Sequence, residues 1–149
     1  MNRTVLLAVL IALALIGLAD SLYLSQSAMT DTPLVCDIQG LDDCNTVAES
    51  PYSKLLGVPL AVYGLGFYGA ILALGIFLYF RPSRLGALAL VAGAVLGALS
   101  SAYFLYLQVA VIQAFCVYCI ASAIISFILA ALALGFWKRL VPTPPVVLP

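Results

Sequence analysis

The feature that most constrains this chain is how little of it tolerates water. Of its 149 residues, 65% are hydrophobic and 8% charged, far from the composition of a soluble domain. In hydrocarbon each backbone N–H and C=O needs a partner within the protein, and a helix supplies one locally if it has about 20 apolar residues to cross with. The sequence holds four such runs. The first covers about residues 5–24 and the second about 59–80, where "FRPSR" stops it with charge and Pro82. From Leu85 to Trp137 the chain is apolar almost without interruption, too long for one helix. Gln108 and Gln113 are the only side-chain amides in that stretch and mark a turn near residues 109–113. The expectation is an all-α membrane protein, a single four-transmembrane-helix bundle with spans at about 5–24, 59–80, 85–108 and 113–137. The tail "VPTPPVVLP" is too short and proline-rich to add a domain.

Charge orients the bundle. Five of six basic residues, Arg3, Arg81, Arg84, Lys138 and Arg139, fall on one side of a four-span topology. The positive-inside rule makes that side cytoplasmic, with both termini, in the cell membrane. The loop between helices 1 and 2, about residues 25–58, is then extracytoplasmic, and so are all four cysteines: Cys36, Cys44, Cys116 and Cys119. The alternative for residues 1–19, a cleavable signal peptide, would leave three spans with termini on opposite sides. Asp20, at the end of the first run, reads as a solvated helix-end carboxylate near the interface rather than at the costly bilayer centre.

Zero net charge without a basic patch gives nucleic-acid binding no electrostatic basis. The absence of histidine removes the commonest general base and nitrogen ligand. Chemistry therefore falls to the cysteines. Cys116 and Cys119 form a C-x-x-C in "AFCVYCIASAIIS". A disulfide across so short a loop removes little chain entropy and is a poor staple, so such a pair is more often redox-active. In the first turn of a helix, Cys116 would gain thiolate character from the dipole. Cys36 and Cys44 bracket "DIQGLDD", which reads as a mobile solvent-facing loop able to meet a soluble thiol protein and the membrane pair in turn. Two pairs at different depths suggest a relay into the lipid phase. With no flavin, nicotinamide or haem fingerprint, a quinone fits as the two-electron acceptor. Two alternatives stand beside this: a non-catalytic scaffold stapled by two disulfides, and a four-thiolate metal site, for which C-x7-C is unusual spacing.

The combination of C-x7-C, the following "NTVAESPYSKLLGVPLAVYGLGFY" and the membrane "CVYC" resembles the vitamin K epoxide reductase family, in its bacterial or archaeal branch of thiol-quinone oxidoreductases. The likeness runs from "DSLYL" at 20–24 through the fourth span. DsbB-type enzymes do the same job with the C-x-x-C in the first outer loop, the reverse of the order here. The resemblance implies a bundle around ubiquinone or menaquinone, with no metal. It makes Cys36 the point of attack by a thioredoxin-like, DsbA-like extracytoplasmic partner. Cys44 would pass electrons to Cys116, and Cys119 would reduce the quinone. Ser50 matches a serine of the segment capping the family's quinone pocket, and Tyr63, Phe67 and Phe115 are candidates to pack on the ring, or else lipid-facing. Vertebrate members carry Tyr where this chain has Ala123, so vitamin K epoxide reduction does not follow. Many bacterial members carry a fused thioredoxin-like domain; here the sequence stops at Pro149, so the partner is expected to act in trans at the membrane. The product would be disulfides in exported proteins.

Overall fold

The computed structural model describes residues 2–36 and 43–141. Asp37, Gly40 and Asp42 of the expected mobile loop, and the proline-rich tail beyond Val141, lie outside the described residues. Helix α1 (Arg3–Thr30) opens on an N-cap, the Asn2 side chain accepting the Val5 N–H at 3.0 Å. After it come the short α2 (Cys44–Glu49), a 3-10 turn (Pro51–Ser53) and a hairpin of β1 (Lys54–Leu55) and β2 (Val58–Pro59). Leu56 and Gly57 turn the hairpin with positive φ at both positions, the combination that suits a two-residue antiparallel connection. Helix α3 (Leu60–Phe80) follows directly. Ser83 then caps α4 (Arg84–Tyr106), accepting the Gly86 N–H at 3.2 Å. The chain ends in α5 (Val117–Gly135) and the short α6 (Trp137–Leu140).

Four helices are long and apolar enough to cross a membrane, and the protein is a multi-pass membrane protein of the expected all-α bundle class. Helix α1 packs chiefly on α3 and α4 on α5, while α3–α4 and α1–α5 contacts close the ring. Small residues set the closeness of these crossings, as they do where apolar surface alone gives no drive to associate in lipid. A Cβ at Gly17 would collide with the Tyr68 ring, and one at Gly97 with the Phe67 ring.

The inward stripe of α1 runs Leu7, Leu10, Ala14, Gly17, Ser21, Ser25, at steps of three and four. It changes from apolar to polar along its length, and α5 changes likewise from Ala133 and Leu129 to Ser126 and Cys119. The bundle therefore has two halves. Leu6, Leu10, Ile71, Leu78, Leu90 and Leu129 make a dry core toward the end that carries the basic residues. Toward the cysteine end the inward faces of α1 and α5 are polar and the helices line a half-open cavity.

Three expectations need correction. Helix α1 continues past residue 24 to Thr30, because hydropathy marks where lipid ends while a helix ends where its backbone is stopped. Here Asp31 adopts a left-handed conformation ahead of Pro33. Consequently Asp20 is not a helix-end residue: it lies well inside α1, half-buried, with its Oδ2 enclosed. The turn expected at 109–113 also comes later. Helical winding continues beyond Tyr106 as a wider π turn (Leu107–Ile112), Gln113 breaks it with φ 56°, and α5 starts at Val117 rather than 113.

Candidate functional site

The four cysteines meet at one end of the bundle. Cys36 and Cys44 are joined as a disulfide, their Cα atoms 6.3 Å apart. Cys116 and Cys119 carry free thiols, Cys116 buried and Cys119 half-buried. Cys44, fully enclosed, and Cys116, 1% exposed, share a single buried cluster with Leu34, against which Leu24, Val47 and Cys119 pack. The loop pair thus differs from the solvent-facing pair expected from sequence: its second cysteine is set down beside the membrane pair.

Polar clamps hold that arrangement. Asn45, the neighbour of Cys44, accepts the Leu34 N–H at 2.8 Å and donates to the Leu34 carbonyl at 3.2 Å. Val35, the neighbour of Cys36, donates its N–H to the Tyr23 hydroxyl at 3.1 Å, and its carbonyl accepts from the Tyr118 hydroxyl at 2.7 Å. The Tyr23 and Tyr118 rings stand 5.1 Å apart. Tyr118 lies inside the "CVYC" motif, so one side chain ties the membrane pair to the strand entering the loop pair.

Cys116 is the N-cap of α5 rather than a residue of its first turn. Its sulfur accepts the Cys119 N–H at 3.2 Å, doing what a serine or aspartate oxygen does at this position. The Cys119 thiol hydrogen-bonds the Cys116 sulfur, and the N–H groups of Cys119 and Tyr118 add to it. Together these hold the Cys116 thiol below its ordinary range, against the opposing effects of burial and the Asp20 charge. The backbone of Cys116 is fixed by Gln108, whose buried side-chain Oε1 accepts the Cys116 N–H at 3.2 Å. The π turn lets Gln108 do this: its own carbonyl takes the N–H groups of Gln113 and Ala114, closing the connection to α5.

Below the cysteines lies a cavity of about 1290 Å3. Ser50, Tyr63, Phe67 and Cys119 line it, together with Cys44 and Cys116. Ser50 ends α2, its Oγ donating to the Val47 carbonyl at 2.7 Å. Tyr63 donates to the Leu55 carbonyl at 3.0 Å and pins the hairpin to α3. Phe115 is exposed and is not among the lining residues. At the deep end Tyr68, 1% exposed, donates to the Ser122 carbonyl at 2.8 Å, with Ser122 Oγ at 2.9 Å and Ser126 Oγ at 3.0 Å. A cavity so lined offers aromatic rings, a cluster of hydroxyls and a thiol to a bound molecule. As for a four-thiolate metal site, two of its sulfurs are already bonded to each other.

Sequence reasoning passed over Asn45, Tyr23, Tyr118 and Tyr68, and read Gln108 only as a turn marker. The available signals were slight. Ser122 and Ser126 stand one helical turn apart on a span otherwise almost wholly apolar, which asks for a polar partner on a facing helix.

A model of the vitamin K epoxide reductase family matches residues 8–134, a stretch that contains the four cysteines and the residues that line the cavity. The thiol-disulfide oxidoreductase LTO1 of Arabidopsis thaliana is 35% identical over an alignment of 115 residues that covers 72% of this chain and 30% of that protein. The chain spans under a third of the length of this curated relative.

Proposed function

The chain belongs to the vitamin K epoxide reductase family, and we propose that it is a membrane thiol-quinone oxidoreductase. In this reading a thioredoxin-like dithiol, presented at the extracytoplasmic face, attacks Cys36. The Cys36–Cys44 bond breaks, the partner closes its own disulfide, and the loop pair is left reduced. Cys44 then attacks Cys116 of an oxidised membrane pair, displacing Cys119 as thiolate, and Cys36 resolves the mixed disulfide so that Cys116 is released. Cys119 faces the cavity and delivers the electron pair as Cys116 and Cys119 rejoin. A quinone bound there supplies an acceptor for two electrons and two protons. Ser50, Tyr63 and Phe67 hold its ring, and membrane lipid is its source.

The observation that carries this reading is the shared burial of Cys44 and Cys116, one from each pair, beside a cavity that Cys119 also lines. The redox states agree with it. A loop disulfide above a membrane dithiol is ready to take electrons at one end and give them up at the other. The similarity to a thiol-disulfide oxidoreductase supports the thiol half of the reaction.

The test is quinone reduction by purified protein, with a short-chain ubiquinone or menaquinone as acceptor and a reduced thioredoxin-like protein as donor. Turnover should vanish in each of four single Cys→Ala variants. Quinone reduction that survives Cys116→Ala or Cys119→Ala would sink the relay.

A further inference from the structure

Asp20 is a carboxyl on the inner side of a membrane helix, and an ionisable group there points to function unless a partner explains it. No cation among the described residues does. Its carboxyl stands beside the Ser122 side chain, and its Oδ2 is buried with no hydrogen-bond partner. The titratable groups within its electrostatic reach are Tyr68 of α3, Tyr118 and Cys119 of α5, and Cys116 at the N-cap of α5. Three of them are the membrane thiols and the hydroxyl at the deep end of the cavity. Asp20 does not itself line the cavity, but Ser122, Tyr68 and Ser126 do. The hydroxyl contacts of 2.9 and 3.0 Å continue the path from Ser122 through Tyr68 to Ser126. A carboxyl and three hydroxyls thus form one linked polar group, with the membrane thiols within electrostatic reach of the carboxyl.

Electron transfer out of a dithiol needs such a group. Two thiols becoming a disulfide release two electrons and two protons, and the reactive species is a thiolate. A thiolate beside an ionised carboxyl would place two negative charges in a low-dielectric site with no cation among the described residues to offset them, an arrangement that is disfavoured. Moving the proton from thiol to carboxyl avoids it, since the site then keeps one negative charge throughout.

We propose that Asp20 accepts the proton released when the membrane cysteine pair forms its reactive thiolate, and returns it through Ser122 and Tyr68 to a carbonyl oxygen of the reduced acceptor in the cavity. This rests on the quinone reading above. The balance is complete within it: Cys116–SH and Cys119–SH lose two hydrogens in all and form one S–S bond. The acceptor gains those two hydrogens, one of them by way of Asp20, and Asp20 ends each cycle as it began.

Two readouts test the idea. In pre-reduced protein free of quinone, with Cys119→Ser throughout so that a single membrane thiol titrates, iodoacetamide alkylation of Cys116 is followed against pH. The coupled groups should give the protein that keeps Asp20 a two-step profile, because the first proton lost is shared between thiol and carboxyl and the second leaves against its charge. Asp20→Asn should collapse this to one step, and Asp20→Glu should keep two. In single-turnover reduction of a short-chain ubiquinone, Asp20→Asn should slow the reaction by roughly 100-fold, as loss of a positioned proton acceptor does, with Asp20→Glu restoring most of it. Tyr68→Phe keeps the ring and removes only the hydroxyl. It should slow quinone reduction while leaving the quinone-free profile in two steps. An Asp20→Asn protein that matches the wild type in profile and rate overturns the proposal, as does an Asp20→Glu protein as slow as Asp20→Asn. A two-step profile in the protein that keeps Asp20, without quinone reduction by the wild type, overturns the quinone reading and leaves Asp20 as proton acceptor supported.

Discussion

Asn45 grips Leu34 by both backbone groups, accepting its N–H at 2.8 Å and donating to its carbonyl at 3.2 Å across eleven residues of sequence. Because Asn45 follows Cys44 and Leu34 packs on Cys116, this pair of bonds joins the loop disulfide to the membrane pair. Asn45→Ala removes both. At about 1 kcal/mol for each ordinary hydrogen bond, thermal unfolding in detergent should show a loss of about 2 kcal/mol. In a Cys36→Ser, Cys119→Ser background, the yield of trapped Cys44–Cys116 mixed disulfide should fall several-fold. An unchanged yield would mean that the two sulfurs find each other without the clamp.

Gln108 meets the Cys116 N–H where both residues are buried. Gln108→Leu strands it, which costs about 1–3 kcal/mol for an unpaired buried amide. Hydrogen exchange at the Cys116 amide should accelerate, and Cys116 should react more slowly with alkylating reagents because its sulfur no longer sits squarely on the α5 N-terminus. Equal exchange rates in the two proteins would show that another group takes over.

Why Gln108 and Asn45 escaped sequence reasoning while the cysteines did not is a matter of periodicity. Composition, run length and the C-x-x-C spacing are local, and they yield the four spans, the class and the chemistry. The match of a side chain on one helix to a group on another depends on the rotational phase of both, which four nearly uniform apolar helices barely encode. Asp20 illustrates this. Hydropathy ends near residue 24 and makes it look terminal, yet the helix runs to Thr30, and its phase turns the carboxyl toward Ser122. The backbone break at Gln113 was visible as an amide in an apolar run, but the wide turn ahead of it was not.

The Cys116 thiol is held low first by the hydrogen bond from the Cys119 thiol and then by the N–H groups of Cys119 and Tyr118. A lowered thiol is thiolate at pH values where an ordinary cysteine is protonated, and it loses that reactivity as pH falls through its own value. Cys119→Ala removes the largest cause and leaves burial opposing charge. Cys116 in that variant should need a higher pH to alkylate at half its maximal rate. A profile that stays put, or moves to lower pH, would contradict the assignment of causes.

Gly17 and Gly66 make opposite predictions from the same substitution. A Cβ at Gly17 meets the ring of the buried Tyr68, whose hydroxyl is tied to Ser122 and Ser126, whereas a Cβ at Gly66 meets nothing within 4 Å. Gly17→Ala should destabilise by about 1–3 kcal/mol through overpacking and disturb the Tyr68 contacts to Ser122 and Ser126. Gly66→Ala should be neutral or stabilising by up to about 1 kcal/mol, since alanine is the better helix former. Detergent-solubilised melting curves measure both, and a neutral Gly17→Ala would show that α1 and α3 can part without loss.

The two tyrosines on Val35 bear on how the loop disulfide is opened. Val35 precedes Cys36, and its N–H and carbonyl are taken by Tyr23 from α1 and Tyr118 from α5. These clamps face solvent, so each hydroxyl contributes modestly, about 0.5–1.5 kcal/mol. Their effect is to hold the half-buried Cys36 in one place while a thiol approaches. Tyr23→Phe with Tyr118→Phe keeps both rings and deletes both bonds, freeing the strand. Reduction of Cys36–Cys44 by dithiothreitol should then speed up, because the small reagent gains access from a loosened strand. Reduction by a thioredoxin-like protein should slow, because such a partner must dock on an ordered one. Stopped-flow measurement of both reductions separates the effects, and parallel changes with the two reductants would show that the clamps govern exposure alone.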